Sequence, residues 1–284
     1  MIFETHAHYD DAAFDEDRQE ILEGMEAHGV ETVINVCAEV ESLERTVALM
    51  EQYPHVYGAV GIHPDDAGKM NEQVLAKIQK LCAHEKTVAV GEIGLDYYWD
   101  KENHSVQKEW FCRQMEVARE EKLPFIIHSR DAAKDTLDIM KELRAGEMSG
   151  GVIHCFSYSR ELAREYLNMG LYIGIGGVVT FKNGKKLKEV TEYTPLDRIL
   201  LETDSPYLAP VPNRGKRNTS WNLPYVAEEI ARIKGISTEE VIKVTRENAR
   251  KLFYKVFTFY AWPRPGKHRA RAGLPAVQGL CPPW

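Results

Sequence analysis

The 284 residues are 44% hydrophobic and 28% charged, enough apolar material for a large core and too much for a disordered chain. A formal net charge of −7 excludes a protein that coats nucleic acid through a general basic footprint, while leaving room for a local basic patch. No window approaches the roughly 18 apolar residues of a membrane span, and the start MIFETHAHYD has neither the basic region nor the apolar core of a signal peptide, so the expected setting is cytoplasmic, with no membrane contact.

Short β-branched runs alternate with longer amphipathic ones along the chain. Strands are predicted at Ile2–Thr5, Thr32–Cys37, Val56–Ile62, Thr87–Glu92, Pro124–Ile127, Gly151–Ile153, Leu171–Gly174 and Arg198–Thr203. Helices are predicted near 15–28, 40–52, 72–85, 103–121, 132–145, 159–169 and 184–192, with two more near 222–234 and 238–253. Gly29 and Gly170 stand where a helix stops before a strand. Repeated strand–helix units with nearly continuous apolar strands imply an α/β fold whose parallel sheet is covered on both faces. A single-domain (β/α)8 TIM barrel over residues 1–257 is the economical closure, and a doubly wound open sheet is the alternative. Residues 258–284 are rich in Pro, Gly, Arg and Ala without periodicity, and read as a disordered or non-native extension. The alternative is a basic tail, with Arg264, Lys267, His268, Arg269 and Arg271, that helps hold nucleic acid.

Chemistry-bearing residues stand at the strand ends. The first strand delivers His6 and His8, the third His63, the fourth Glu92, the fifth His128, the sixth His154 and the eighth Asp204. In a parallel barrel these carboxyl ends share one face, where active sites are built. Residues i and i+2 of an extended segment point to the same side, so His6 and His8 can converge on one ion. His6, His8, His128, His154, Glu92 and Asp204 exceed the needs of one four-coordinate ion. Two ions bridged by one carboxylate use them all, an arrangement suited to hydrolysis. Glu92, on a central strand, is the candidate bridge. Asp204 can coordinate and also act as general base toward the attacking water. His63, in GIHP, could be a further ligand or a structural histidine, with substrate contact the favoured role. His28, His55, His84 and His104 fall in helical or helix-to-strand segments and are expected to be exposed.

After Asp204 the chain runs SPYLAPVPNRGKRN, a proline-rich loop ending in Arg214, Lys216 and Arg217, cations suited to clamping a phosphate. Nucleophilic catalysis has little support: there is no G-x-S-x-G elbow, and Cys155 is expected to pack beneath the site. The five cysteines lack a C-x-x-C pair and read as reduced thiols. IGIGGV at 173–178 lacks a dinucleotide-loop continuation and reads as a tight strand-to-loop turn.

THAHYD at 5–10, GIHP at 61–64, GEIGLDYY at 91–98, IIHSR at 126–130, HCFS at 154–157, ETDSPYLAP at 202–210 and RGKRN at 214–218 together resemble the TatD family of metal-dependent deoxyribonucleases, over about residues 1 to 255. The resemblance implies a (β/α)8 barrel and divalent-metal hydrolysis of DNA, often by 3′ to 5′ exonuclease action on single strands or 3′ ends. Carried over by position, His6, His8, Glu92 and Asp204 would hold one metal, and Glu92, His128 and His154 the second. His63, Arg214 and Lys216 would position the phosphate. Mg²⁺ or Mn²⁺ is implied by the family, whereas the imidazole-rich ligands also suit Zn²⁺ or Ni²⁺. The alternatives are a metal-dependent amide or ester hydrolase, such as an aminoacyl-tRNA deacylase or lactonase, and a binding protein that keeps the fold without catalysis.

Overall fold

A computed structural model describes residues 1–99 and 102–253. The extension at 258–284 lies outside the described residues. Eight strands, β1 (Ile2–Ala7), β2 (Val30–Val36), β3 (Val56–Val60), β4 (Thr87–Asp96), β5 (Phe125–Arg130), β6 (Gly151–Ile153), β7 (Tyr172–Ile175) and β8 (Ile199–Leu201), lie side by side in chain order, each parallel to the next. Between and after them run α1 (Arg18–Glu23), α2 (Ser42–Gln52), α3 (Glu72–Leu81), α4 (His104–Glu121), α5 (Ala133–Glu142), α6 (Arg160–Asn168), α7 (Lys185–Tyr193), α8 (Leu223–Lys234) and α9 (Thr238–Leu252). This is the (β/α)8 barrel, not the open sheet. None of the described helices is long and apolar enough to cross a membrane.

Local chemistry sets the element ends. Asn71, Ser159 and Ser237 cap α3, α6 and α9, each side chain accepting a hydrogen bond from a first-turn amide. Gly29 and Gly170 adopt left-handed backbone at φ 77° and 79°, the conformation that ends a helix cheaply only in glycine. The helix predicted at 15–28 is broken into α1 and a 3₁₀ turn at Glu26–His28. At its break, a Cβ on Gly24 would come within 2.9 Å of the Trp221 ring. β4 and β5 run past their predicted ends, to Asp96 and Arg130, whereas β8 is shorter than predicted.

The core divides in two. One buried cluster takes Phe3, Ile34, Val36, Tyr57, Ala59, Val88, Ala89, Ile126, Val152, Tyr172 and Leu200, so every strand contributes. No residue of α1–α8 enters this cluster, which places it inside the barrel, and this filling makes the barrel a packed core rather than a pore. Ala249, Leu252 and Phe253, at the end of α9, join the same cluster, with the Phe253 and Phe3 rings 6.2 Å apart. The larger cluster packs strands against the helical shell.

The ring closes between β1 and the segment after β8. Ala7 and Ser205 form a parallel bridge, the His8 amide donates to the Ser205 carbonyl at 2.8 Å, and the Asp204 amide donates to the His6 carbonyl at 2.9 Å. Side chains complete the seam. Thr5 Oγ1 donates to the Leu201 carbonyl, and the fully buried Glu4 carboxylate accepts from the amides of His6 and Thr203 and from the hydroxyls of Thr203 and Ser220. Replacing Glu4 by Ala leaves those donors without their acceptor, at about 1–3 kcal/mol for each one that stays buried and unsatisfied. Glu4→Ala is therefore expected to lose about 3 kcal/mol or more of unfolding free energy. Urea denaturation at neutral pH checks this, and an unchanged midpoint would show that the seam does not depend on the carboxylate.

Candidate metal centre

The backbone brings six sequence-predicted side chains together on the carboxyl face. His6 lies in β1 and His8 one residue beyond it, Glu92 in β4, His128 in β5, His154 just after β6 and Asp204 after β8. His6, His8, Glu92 and His154 are buried. Asp204 takes left-handed backbone at φ 60°, held by its amide bond to the His6 carbonyl.

The ligand atoms fall into two groups that share Glu92. On one side, His6 Nε2 is 3.2 Å from His8 Nε2, 3.3 Å from Glu92 Oε2 and 3.8 Å from Asp204 Oδ1. His8 Nε2 is 3.7 Å from Glu92 Oε2 and 3.3 Å from Asp204 Oδ1. On the other side, Glu92 Oε1 is 2.8 Å from His128 Nδ1 and 2.6 Å from His154 Nε2, and those two nitrogens are 3.3 Å apart. Ligand atoms at about 2.0–2.1 Å from one tetrahedral ion stand about 3.4 Å apart. The first group closely matches that spacing, and imidazole nitrogens aimed at one another and at carboxylate oxygens form a donor set that could hold a divalent ion.

Outer contacts fix which nitrogen faces inward. The Val36 carbonyl, 2.8 Å from His8 Nδ1, can only accept, so that nitrogen carries a proton and Nε2 is left for the centre. Asp96 Oδ2, 3.0 Å from His128 Nε2, does the same for His128 and leaves Nδ1. Glu202 lies on the outer side of His154, 3.8 Å from Nδ1. Asp96 and Glu202 were not predicted as site residues. Asp96 was legible as a second carboxylate in GEIGLD had β4 been expected to continue. Nothing in the sequence singled out Glu202, which in the structure lies so close to Gly174 that a Cβ there would come within 2.3 Å of its carboxylate.

Carboxylates and imidazoles shift one another across the cluster. Burial alone would raise the Glu92 carboxyl, but the charges of His154 and His6 and hydrogen bonds from His128 and His154 hold it well below the usual range. Burial opposes charge on His8, yet its hydrogen bond to Asp204 and the Glu92 and Asp204 charges push it up to about 10. Burial is likewise outweighed at His128, which Asp96 and Glu92 push up to about 9. Burial and then the His154 charge press His6 down to about 4. The carboxylates thus demand positive charge, supplied by protons on the imidazoles when no ion is bound.

The remaining predicted residues are placed as follows. His63 follows β3, with Nε2 3.9 Å from Glu92 Oε1 and its ring 4.2 Å from that of His128. Its Nδ1 accepts from the Asp65 amide, so Nε2 carries the proton in the neutral ring, and burial followed by the His128 charge lowers it to about 3. Arg214 and Lys216 are exposed in the loop beyond Asp204, the Arg214 guanidinium lying 4.3 Å from the Phe181 ring centroid. Arg217 instead pairs with Asp17 and donates to the Ala13 carbonyl. Cys155 follows His154 at φ 43°, and burial raises its thiol well above the ordinary value. IGIGGV forms the end of β7 and the turn after it. Of the histidines expected to be exposed, only His28 is; His55, His84 and His104 are half-buried, and His104 stacks on Tyr97 at 3.6 Å.

The family model of TatD related DNases matches residues 3–254. An uncharacterized metal-dependent hydrolase of Bacillus subtilis, YabD, is 47% identical over 253 residues, covering 89% of this chain and 99% of that one. A protein of Cronobacter sakazakii named 3′-5′ ssDNA/RNA exonuclease TatD is 32% identical, covering 89% and 98%. The crystal structure of YjjV, a TatD homologue from Escherichia coli, superposes with a TM-score of 0.84 at 30% identity, covering 89% and 98%.

Two measurements test the centre. Asp96→Asn removes the charge that orients His128 and is expected to weaken divalent-metal affinity by about 10- to 100-fold, read by calorimetric titration. Because His8 and His128 without an ion hold protons up to about 10 and about 9, metal uptake near pH 7 must displace them. Affinity should therefore rise with pH toward those values, with protons released into the buffer. Uptake without proton release would contradict the assignment of these rings as ligands.

Proposed function

The chain belongs to the family of TatD related DNases and is a metal-dependent hydrolase, and from that premise we propose that it hydrolyses phosphodiesters in single-stranded DNA, working from 3′ ends. The observation that carries the reading is the division of Glu92: Oε2 faces His6 and His8, while Oε1 faces His128 and His154. His6, His8, Glu92 and Asp204 would hold one divalent ion, and Glu92, His128 and His154 a second. Such ions lower the pKa of water and stabilise charge on phosphoryl oxygens.

The chain's own groups supply the rest. Asp204 is the most open carboxylate of the cluster, with a side chain 17% exposed against 3% for Glu92, so it can accept a proton from the attacking water. His63 presents its Nε2 proton beside the Glu92 oxygen and would donate to a phosphate oxygen. Arg214 and Lys216, from the loop that follows Asp204, would meet the flanking phosphates. The substrate class is supported by the exonuclease relative of Cronobacter sakazakii. Mg²⁺ or Mn²⁺ fits the family, and the imidazole ligands also suit Zn²⁺ or Ni²⁺. A cytoplasmic setting accords with Cys37 and Cys155, whose thiols form no disulfide.

End-labelled single-stranded DNA incubated with the protein and Mg²⁺ or Mn²⁺ should shorten from the 3′ end. Glu92→Ala should lose more than about 100-fold in rate, since groups one contact further from an ion already account for up to that much. Undiminished cleavage by that variant would exclude this centre as the catalyst. Intact DNA alongside turnover of small esters would transfer the centre to an amide or ester hydrolase.

A further inference from the structure

Of the seven large apolar side chains exposed among the described residues, Met1 precedes β1 and Tyr225 lies on α8, but the other five gather on one face. Tyr98 and Trp99 follow β4, while Tyr207, Leu208 and Val211 follow β8, all on the face that carries the ligand cluster. Trp99 is the most exposed of them, at 66%, and Tyr98 is 45% exposed. Their rings meet edge to face at 4.7 Å. The Arg130 guanidinium, at the end of β5, sits 4.0 Å from the Tyr98 centroid and 5.5 Å from that of Trp99.

This tip is tied to the metal centre by one carboxylate. Asp96 Oδ2 holds His128 Nε2 at 3.0 Å, and Asp96 Oδ1 accepts from the amides of Tyr98 at 2.8 Å and Trp99 at 3.1 Å. Arg130 pairs with Asp96 in the β4–β5 ladder, two residues beyond His128. Gln107 clamps Asp96 further, its side chain donating to the Asp96 carbonyl and accepting from the Asp96 amide. A solvated aromatic pair is thus fixed in position relative to the ligand imidazole, at a cost in exposed apolar area that packing does not explain.

We propose that Tyr98, Trp99 and Arg130 form a stacking platform for an unpaired nucleobase of the substrate strand. An aromatic face accepts any base, and a guanidinium beside it attracts the adjacent phosphate, the combination by which single strands are held without sequence preference. The platform lies on the β4–β5 side of the centre, so it takes a nucleotide flanking the bond that is cut. It deepens the nuclease reading and rests on it.

The test crosses two enzymes with two substrates. Trp99→Ala is expected to raise KM about tenfold for a single-stranded oligonucleotide. KM should stay within twofold for the same oligonucleotide made abasic over its 3′-terminal nucleotides. Trp99→Phe, which keeps a ring, should recover most of the loss. Fluorescence anisotropy of the labelled oligonucleotide with chelator-treated protein should show the same pattern in Kd, independently of turnover. Equal KM increases on both substrates, or none on either, overturn the platform while leaving the nuclease reading intact. A solution dimer that Trp99→Ala dissociates without changing KM also overturns it, assigning the tip to a protein interface. Wild-type protein that leaves both oligonucleotides whole overturns the nuclease reading, and the platform with it.

Discussion

A carboxylate buried to 2% exposure, with each oxygen facing a different pair of imidazoles, is the constraint around which the molecule is organised. An isolated buried carboxylate would be protonated, because its solvation in a low-dielectric interior is lost. Glu92 keeps its charge only if positive partners arrive from several directions. His6 and His8 come from β1, His128 from β5 and His154 from the end of β6. In an open sheet with this strand order, β1 would lie at one edge and β6 near the other. Closing the ring is what lets β1 approach Glu92 opposite β5 and β6, so the fold and the ligand cluster are solutions to one geometric problem.

The closure itself runs through the site. The Asp204 amide bonds to the His6 carbonyl, and the His8 amide to the Ser205 carbonyl, so three ligand residues also join the two ends of the barrel. Glu4 reinforces the joint from below with its four donors, and burial lifts its own carboxyl to about 7 despite them. Motion at this seam would displace His6, His8 and Asp204 together. The hydrogen bonds that complete the ring thus also position these three residues of the candidate centre. On the far side Asp96 performs the equivalent task for His128 alone, and the Val36 carbonyl does so for His8.

Much of this was legible in the chain. The alternation of β-branched and amphipathic runs indicated the barrel, and strand ends bearing His6, His8, Glu92, His128, His154 and Asp204 indicated the cluster, because a parallel barrel places all such ends on one face. The outer contacts, Asp96 apart, were not legible. Glu4 follows an apolar start and Glu202 precedes an expected ligand, and nothing in their spacing says that either carboxylate is buried. Such roles depend on hydrogen bonds between residues far apart in the chain, such as that from Thr203 to Glu4 across 199 positions. The half-buried His55, His84 and His104 escaped for a related reason: periodicity gives the face of a helix, while the packing of strand–helix junctions is decided by neighbours distant in sequence.

Among the strand ends that differ from expectation, that of β4 has the largest consequence. A strand stopping at Glu92 would leave that residue on the rim, but β4 continues to Asp96, with its ladder to β5 registered as far as Arg130. Glu92 therefore lies within the wall, and four further residues rise above it. The centre becomes lopsided: a raised β4–β5 wall with an aromatic tip on one side, and on the other a hollow lined by Cys155, Phe156, Gly177, Leu187, Asp204 and Leu208. Asp204, the most open of the cluster's carboxylates, faces that hollow. In the proposed nuclease reading, a water reaching Asp204 from the open side would meet a phosphodiester whose strand is braced against the wall, and the same asymmetry would orient attack and leaving group across the centre. The extra length of one strand, more than any single ligand, is what gives this symmetrical fold a direction.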